Sequence, residues 1–152
     1  MRILALDFGS TTGYAIGTAH GLTIHTSGTW NIAPRRGDSP GMRYIYLRRK
    51  FEEVLGAYPD LSLVVYEQAH MRGGAATSYA MGCEATLQAW CAEKGLEFTT
   101  VHSATLKKFA TGKGNSKKPE MMVAATKRGW TFADDNEADA LWILDYALRE
   151  VA

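Results

Sequence analysis

The chain of 152 residues predicts an α/β fold, a five-stranded mixed sheet with helices packed on it. Three observations predict it. An aliphatic run, Ile3-Leu4-Ala5-Leu6, ends on Asp7, turns through Gly9-Ser10-Thr11-Thr12-Gly13 and resumes at Tyr14-Ala15-Ile16, which reads as strand, tight polar turn and returning strand. A second apolar run, Leu61 to Tyr66, also ends on a carboxylate, Glu67. Around and after that second run, apolar residues recur at helical spacing, so strands alternate with helices along most of the chain.

Taken in order, residues 21–30 alternate through Leu22, Ile24 and Trp30 and complete an antiparallel meander with the first two strands. Pro34, Gly37 and Pro40 make residues 31–41 a loop. From Met42 to Tyr58, Tyr44, Ile45, Leu47, Phe51, Val54 and Leu55 mark the apolar side of a helix, with arginines on the other face. The strand at 61–66 is followed by Gly73-Gly74 and a long helix over about Ala75 to Lys94, whose small residues Ala76, Ala80, Gly82, Ala85 and Ala89 permit close packing. Leu96 to Val101 is the fifth strand, adding in parallel like the fourth. Ser103 caps a helix through Phe109, residues 111–116 form a Gly- and Lys-bearing loop, and Lys117 to Arg128 is helical with Pro119 in its first turn. The final helix starts near Asp134-Asp135-Asn136, runs to about Arg149 and turns Leu141, Trp142, Leu144 and Leu148 to the core.

The length suits one domain spanning residues 1–152, and an apolar content of 46% with 22% charged residues is that of a globular chain. A net charge of +1 hides an uneven distribution. Arg35, Arg36, Arg43, Arg48, Arg49 and Lys50 cluster early; Lys107, Lys108, Lys113, Lys117, Lys118, Lys127 and Arg128 cluster late, opposed between 107 and 128 only by Glu120. Cys83 and Cys91 share a helix that holds them roughly 12 Å apart, too far for a disulfide, so they are free thiols of a reducing compartment. The start lacks a charged-then-apolar signal pattern and no apolar run reaches ~18 residues, so a cytoplasmic location without membrane contact is expected.

Asp7, Glu67 and Asp139 each sit at the end of an apolar element entering the same core. If the first and fourth strands are neighbours and the last helix crosses their ends, three carboxylates converge, and their repulsion is relieved by divalent cations. Hard oxygen ligands suit Mg²⁺ or Mn²⁺, and two such ions activate a water and stabilise the leaving oxygen of a phosphodiester. Singly, each residue has a plainer reading: a turn former, a surface charge, and an acid at a helix N-terminus.

The runs Ile3-Leu4-Ala5-Leu6-Asp7-Phe8-Gly9, Val65-Tyr66-Glu67-Gln68, Leu106-Lys107-Lys108 with Thr111-Gly112-Lys113-Gly114 and Lys118, and Glu137-Ala138-Asp139-Ala140-Leu141 resemble, in order, the four signature regions of the RuvC Holliday junction resolvases. The compact chain resembles the phage-encoded or divergent branch most. The resemblance implies an RNase H-like fold with helices on both faces of the sheet, a homodimer, and paired nicking of four-way DNA junctions in recombination and repair, with two Mg²⁺ or Mn²⁺ ions per active site. It makes Asp7, Glu67 and Asp139 metal ligands. The family's fourth ligand, Asp or His three residues before the last Asp, falls on Asn136, a departure that leaves Asp135 as the alternative. Lys107 and Lys118 match residues on the scissile-strand phosphates, acting as point charges. Lys108, Lys113 and Lys117 extend the basic surface, Ser10 and Thr12 put the first hairpin near the cleaved strand, and His70, with Arg72 close by, takes the place of the family's aromatic wedge.

The Asp7-to-Gly13 turn also resembles the first phosphate loop of actin-like and sugar kinases, but those need a second copy of the domain to close over nucleotide, which 152 residues do not supply. Two rivals stand beside the resolvase: a related nuclease preferring flaps or other branched DNA, and a catalytically weak junction-binding protein.

Overall fold

The computed structural model describes residues 1–68 and 73–152. Five strands, β1 (Arg2–Phe8), β2 (Thr12–Thr18), β3 (Thr23–Trp30), β4 (Leu61–Glu67) and β5 (Glu97–Val101), form one sheet in the order β3-β2-β1-β4-β5. β1 pairs antiparallel with β2 and parallel with β4, β2 pairs antiparallel with β3, and β4 pairs parallel with β5, so the sheet is mixed.

Five helices cover both faces: α1 (Met42–Ala57), α2 (Gly74–Lys94), α3 (Ser103–Thr111), α4 (Lys118–Lys127) and α5 (Asp135–Tyr146). Strand alternation sorts the core in two. Leu4, Leu6, Val64 and Tyr66 face α1 and α2, where Phe51, Leu87 and Trp90 are fully buried. Ile3, Ala5, Leu63 and Val65 face the other way, against α3, α4 and α5, with Leu106, Met121, Leu141 and Leu144. Asp7 and Glu67 continue this second alternation, which aims both carboxylates at the α5 side.

Local chemistry explains where the elements differ from the sequence reading. β3 begins at Thr23 because a 3₁₀ turn over His20–Leu22 precedes it, in which Gly21 has φ 70° and Leu22 has φ 50°, so Leu22 is exposed. The cap of α3 is His102, not Ser103: its ring Nδ1 accepts from the Ala104 N–H at 3.4 Å. The last helix widens after Tyr146 into a π turn over Ala147–Val151, where the Ala152 N–H donates to the Ala147 carbonyl. In α1, Leu47, Phe51 and Val54 are buried while Ile45 is exposed. In α2 the core side is Cys83, Leu87, Trp90 and Cys91. Gly82 is pressed against the Tyr44 ring, and Ala76, Ala85 and Ala89 are exposed. Both cysteines are buried free thiols. Among the described residues no helix is long and apolar enough to cross a membrane.

All three connections that enter β3, β4 and β5 (the 3₁₀ turn, residues 58–60, and Gly95-Leu96) lie at the end of the sheet where β1 begins. The other end carries the β1–β2 turn, the exit of β3, and the last residues of β4 and β5.

There the backbone of α5 lies directly on the hairpin. A Cβ on Gly13 would stand 2.0 Å from the carbonyl oxygen of Asn136, and one on Gly9 would stand 2.3 Å from its Oδ1. Because a backbone carbonyl cannot swing aside, Gly13→Ala is expected to lower unfolding stability by about 2 kcal/mol or more, measured by chemical denaturation, while Gly41→Ala, whose Cβ would meet only Ser39 Oγ at 3.9 Å, stays close to the wild type.

Candidate active site

The parallel pairing sets Leu6 beside Tyr66, so the next residue of each strand, Asp7 and Glu67, leaves the sheet at neighbouring points. α5 packs across β1 and β2 from the same side. Its first turn is fixed by Asp134, whose Oδ1 accepts from the Glu137 N–H at 2.8 Å as the helix N-cap. Asn136 and Asp139, three residues apart on one face of the helix, follow from that start. Asp7, Glu67, Asn136 and Asp139 together line a cleft of about 520 Å³, whose far wall is Ser103, Leu106 and Lys107 of α3 and the segment Asn115 to Lys118.

The electrostatics follow from crowding acids at a half-buried place. Desolvation, then the charges of Asp139 and Glu67, raises the Asp7 carboxyl well above the usual carboxylate range. Desolvation and the charges of Glu67 and Asp135 push Asp139 up to about 7. Lys118 is the nearest counter-charge; its ammonium is bound to Asp135 at 2.7 Å, which holds the Lys118 pKa up and the Asp135 pKa down.

Most of the residues singled out in the sequence reach this cleft: Asp7, Glu67, Asn136, Asp139, Lys107, Lys117 and Lys118 all line it. Asp135 is turned to Lys118 instead and is absent from the lining. Lys113 faces a neighbouring groove between α3 and α4, and Lys108 is exposed outside the cleft. Ser10 is exposed at the hairpin tip, but Thr12 is fully buried, so it presents nothing to a polymer outside and the expectation of a DNA contact there is corrected. His70 and Arg72 lie outside the described residues.

The sequence reading missed two side chains. Ser103, 5% exposed, belongs to the cleft wall, and its Oγ is buried without a hydrogen-bond partner among the described residues. Ser116, 2% exposed, pairs with the Thr111 hydroxyl and anchors the lysine loop to α3. Each looked like an ordinary cap or loop serine. Glu137 braces the site without facing it: it accepts from Ser27 Oγ at 2.7 Å and from the Ala133 N–H at 2.9 Å, tying α5 to β3.

Among the described residues, no three His, Cys, Asp or Glu side chains are drawn together tightly enough to hold a metal ion. The donor set nevertheless fits a hard divalent cation: carboxylates raised by one another's charge are those a cation would relieve, and Asn136 adds a neutral oxygen.

Searched against solved structures, the chain superposes on Thermus thermophilus RuvC with a TM-score of 0.76 and 18% identity, covering 97% of this chain and 94% of that one. It also matches T. thermophilus RuvC in complex with a Holliday junction substrate, at a TM-score of 0.78 and 17% identity over 97% and 93% of the two chains. The fold is that of RuvC. No protein-family model and no curated protein matches the sequence. At this identity the likeness is one of fold, carried by the sheet and its helices.

The raised carboxyls give a signed pH dependence. A carboxyl with a folded pKa above its unfolded value near ~3.9 costs stability when ionised, and that cost is removed as pH falls through the folded value. With Asp139 raised to about 7, the metal-free protein is expected to gain stability between pH 8 and 5. Asp139→Asn should be more stable than wild type at pH 8, on the order of 2 kcal/mol, and the difference should shrink toward pH 5 when unfolding is followed in chelator.

Proposed function

We propose that the chain is a metal-dependent, structure-selective endonuclease that resolves four-way DNA junctions by paired symmetrical nicks. The observation that carries the reading is the single cleft in which the ends of β1 and β4 and the start of α5 gather Asp7, Glu67, Asp139 and Asn136 opposite Lys107, Lys117 and Lys118. The junction-bound RuvC neighbour supports the choice of substrate.

Asp7, Glu67, Asp139 and Asn136 would hold Mg²⁺ or Mn²⁺, two ions per site, and these supply Lewis-acid activation of water and stabilisation of the leaving oxygen. The remaining steps belong to the chain's own side chains. Lys107 and Lys118 bind the phosphates on either side of the scissile bond and orient the strand across the carboxylates, with Lys118 steadied by Asp135 when DNA is absent. Leu106 and Met121 close the cleft wall with apolar surface, which limits competing water.

Two symmetrical nicks need two active sites, so the working form is a homodimer. An outward stripe on α2 supports it: Met81, 49% exposed, with Ala85 and Ala89 at the i+4 and i+8 positions, is apolar, narrow and open to a second copy.

Nicking of a mobile four-way junction, a flap and a simple duplex at equal concentration in Mg²⁺ or Mn²⁺ tests the reading. The junction is expected to be cut in symmetry-related strands and the duplex left whole; preference for the flap moves the assignment to another branched substrate, and equal cutting of duplex overturns it. Asp7→Asn should cost about 1,000-fold or more in cleavage, several kcal/mol of lost charge stabilisation, with junction binding intact. For Lys107→Ala, the slope of log affinity against log salt should fall by about one phosphate contact, read by titrating junction at several salt concentrations.

A further inference from the structure

Asn136 stands where its two oxygen and nitrogen ends would do opposite things to a cation. Its side chain is 5% exposed, lines the cleft beside Gly9, and is pinned by hydroxyls of the β1–β2 turn. Nδ2 donates to Thr11 Oγ1 at 2.9 Å and lies 3.4 Å from Ser10 Oγ. The Thr11 hydroxyl in turn donates to Asp134 Oδ2 at 3.4 Å, while Oδ1 of Asp134 caps α5.

The direction of this chain of hydrogen bonds is set at its far end. Both Asp134 oxygens accept, Oδ1 from the Glu137 N–H and Oδ2 from the Thr11 hydroxyl, so the single Thr11 proton is committed to Asp134. What Thr11 offers to residue 136 is therefore a lone pair, which an N–H can use and an oxygen cannot. We infer that Asp134, acting through Thr11, is the positioning residue that holds the Asn136 amide with Oδ1 rather than Nδ2 toward the cation site. This deepens the reading of the cleft as a divalent-cation site and rests on it. Gly9 completes the arrangement: a Cβ there would meet Oδ1 first, at 2.3 Å, so only glycine leaves that oxygen room.

An acid at position 136 meets the same lone pair. With Asp134 and Thr11 as they are, Asn136→Asp sets a carboxylate oxygen against a hydroxyl oxygen with no proton between them. Reversing the chain repairs it. In Asp134→Asn the new amide keeps an oxygen for the α5 cap and donates its N–H to Thr11, which frees the Thr11 proton to point at residue 136. Asparagine caps helices about as well as aspartate, so the fold is kept.

Mn²⁺ alone, titrated calorimetrically without DNA, reads the effect. Asp134→Asn and Thr11→Val should each weaken Mn²⁺ binding about 10-fold, the low end of what partners of a metal ligand control, and Thr11→Ser should bind like wild type. In the Thr11→Val background Asp134→Asn should add nothing, because the route is already cut. The charge-conserving double variant Asp134→Asn with Asn136→Asp should recover affinity that Asn136→Asp alone loses. A full Asp134→Asn effect in the Thr11→Val background means that only charge is acting and overturns the inference, as does unchanged affinity in every variant while Asp7→Asn still abolishes binding. If the wild type itself binds no Mn²⁺, the cation reading falls first and this inference with it.

Discussion

Everything at the cleft depends on β1 and β4 running side by side in the same direction. Parallel neighbours finish at the same end of a sheet, so two strands that each close on an acid deliver two acids to one place, on the face that the strand alternation selects. Hydrogen bonds along the strands hold that pairing, and the burial of Ile3, Leu4, Ala5, Leu6, Val64 and Val65 on both faces makes a slip of register costly. The repulsion between Asp7, Glu67 and Asp139 is thus imposed by a core that does not yield to it. That is how a site comes to be charged beyond what its own contacts would tolerate: the stability is supplied by apolar layers elsewhere and spent at the strand ends.

Much of this was legible in the sequence, and for physical reasons. Buried strands advertise themselves as apolar runs, so an acid that terminates one is conspicuous, and Asp7 and Glu67 stood out for that reason. Asp139 was visible through the helical spacing of Leu141, Trp142, Leu144 and Leu148, all of which are buried as their periodicity required. The basic loops followed from composition alone. Lysine positions were less well resolved: Lys107, Lys117 and Lys118 reach the cleft and Lys108 and Lys113 do not, because which side of a short helix or loop a long side chain leaves from depends on packing against α5, not on local sequence.

Other features were hidden because they depend on contacts between distant segments. Residue 22 looked like a strand position by alternation, and only the positive φ at Gly21 and Leu22 takes it out. A histidine caps at 102 in place of the more obvious serine beside it, because residue 102 holds the extended backbone of a cap while Ser103 is already the first helical residue. Thr12 sat among polar turn residues and looked exposed, yet the antiparallel register sets it between Phe8 and Trp30, inside the sheet. Gly9 and Gly13 read as turn formers. Their larger service is to leave room for residue 136, some 125 positions away in the chain, which no local pattern reveals.

The opposite end of the sheet has its own consequence. The turns entering β3, β4 and β5 are gathered there, together with the Arg2–Asp60 ion pair, and β1 spans seven residues between that end and the cleft. At ~3.3 Å per residue this is a separation of about 20 Å, roughly the width of a DNA duplex. The described residues are therefore polar in the geometric sense, with the acidic cleft at one end of the sheet and these turns at the other. That end is where a dye, an affinity handle or a surface tether attaches without standing over the acidic cleft, and it makes the chain suited to measurements on single immobilised molecules.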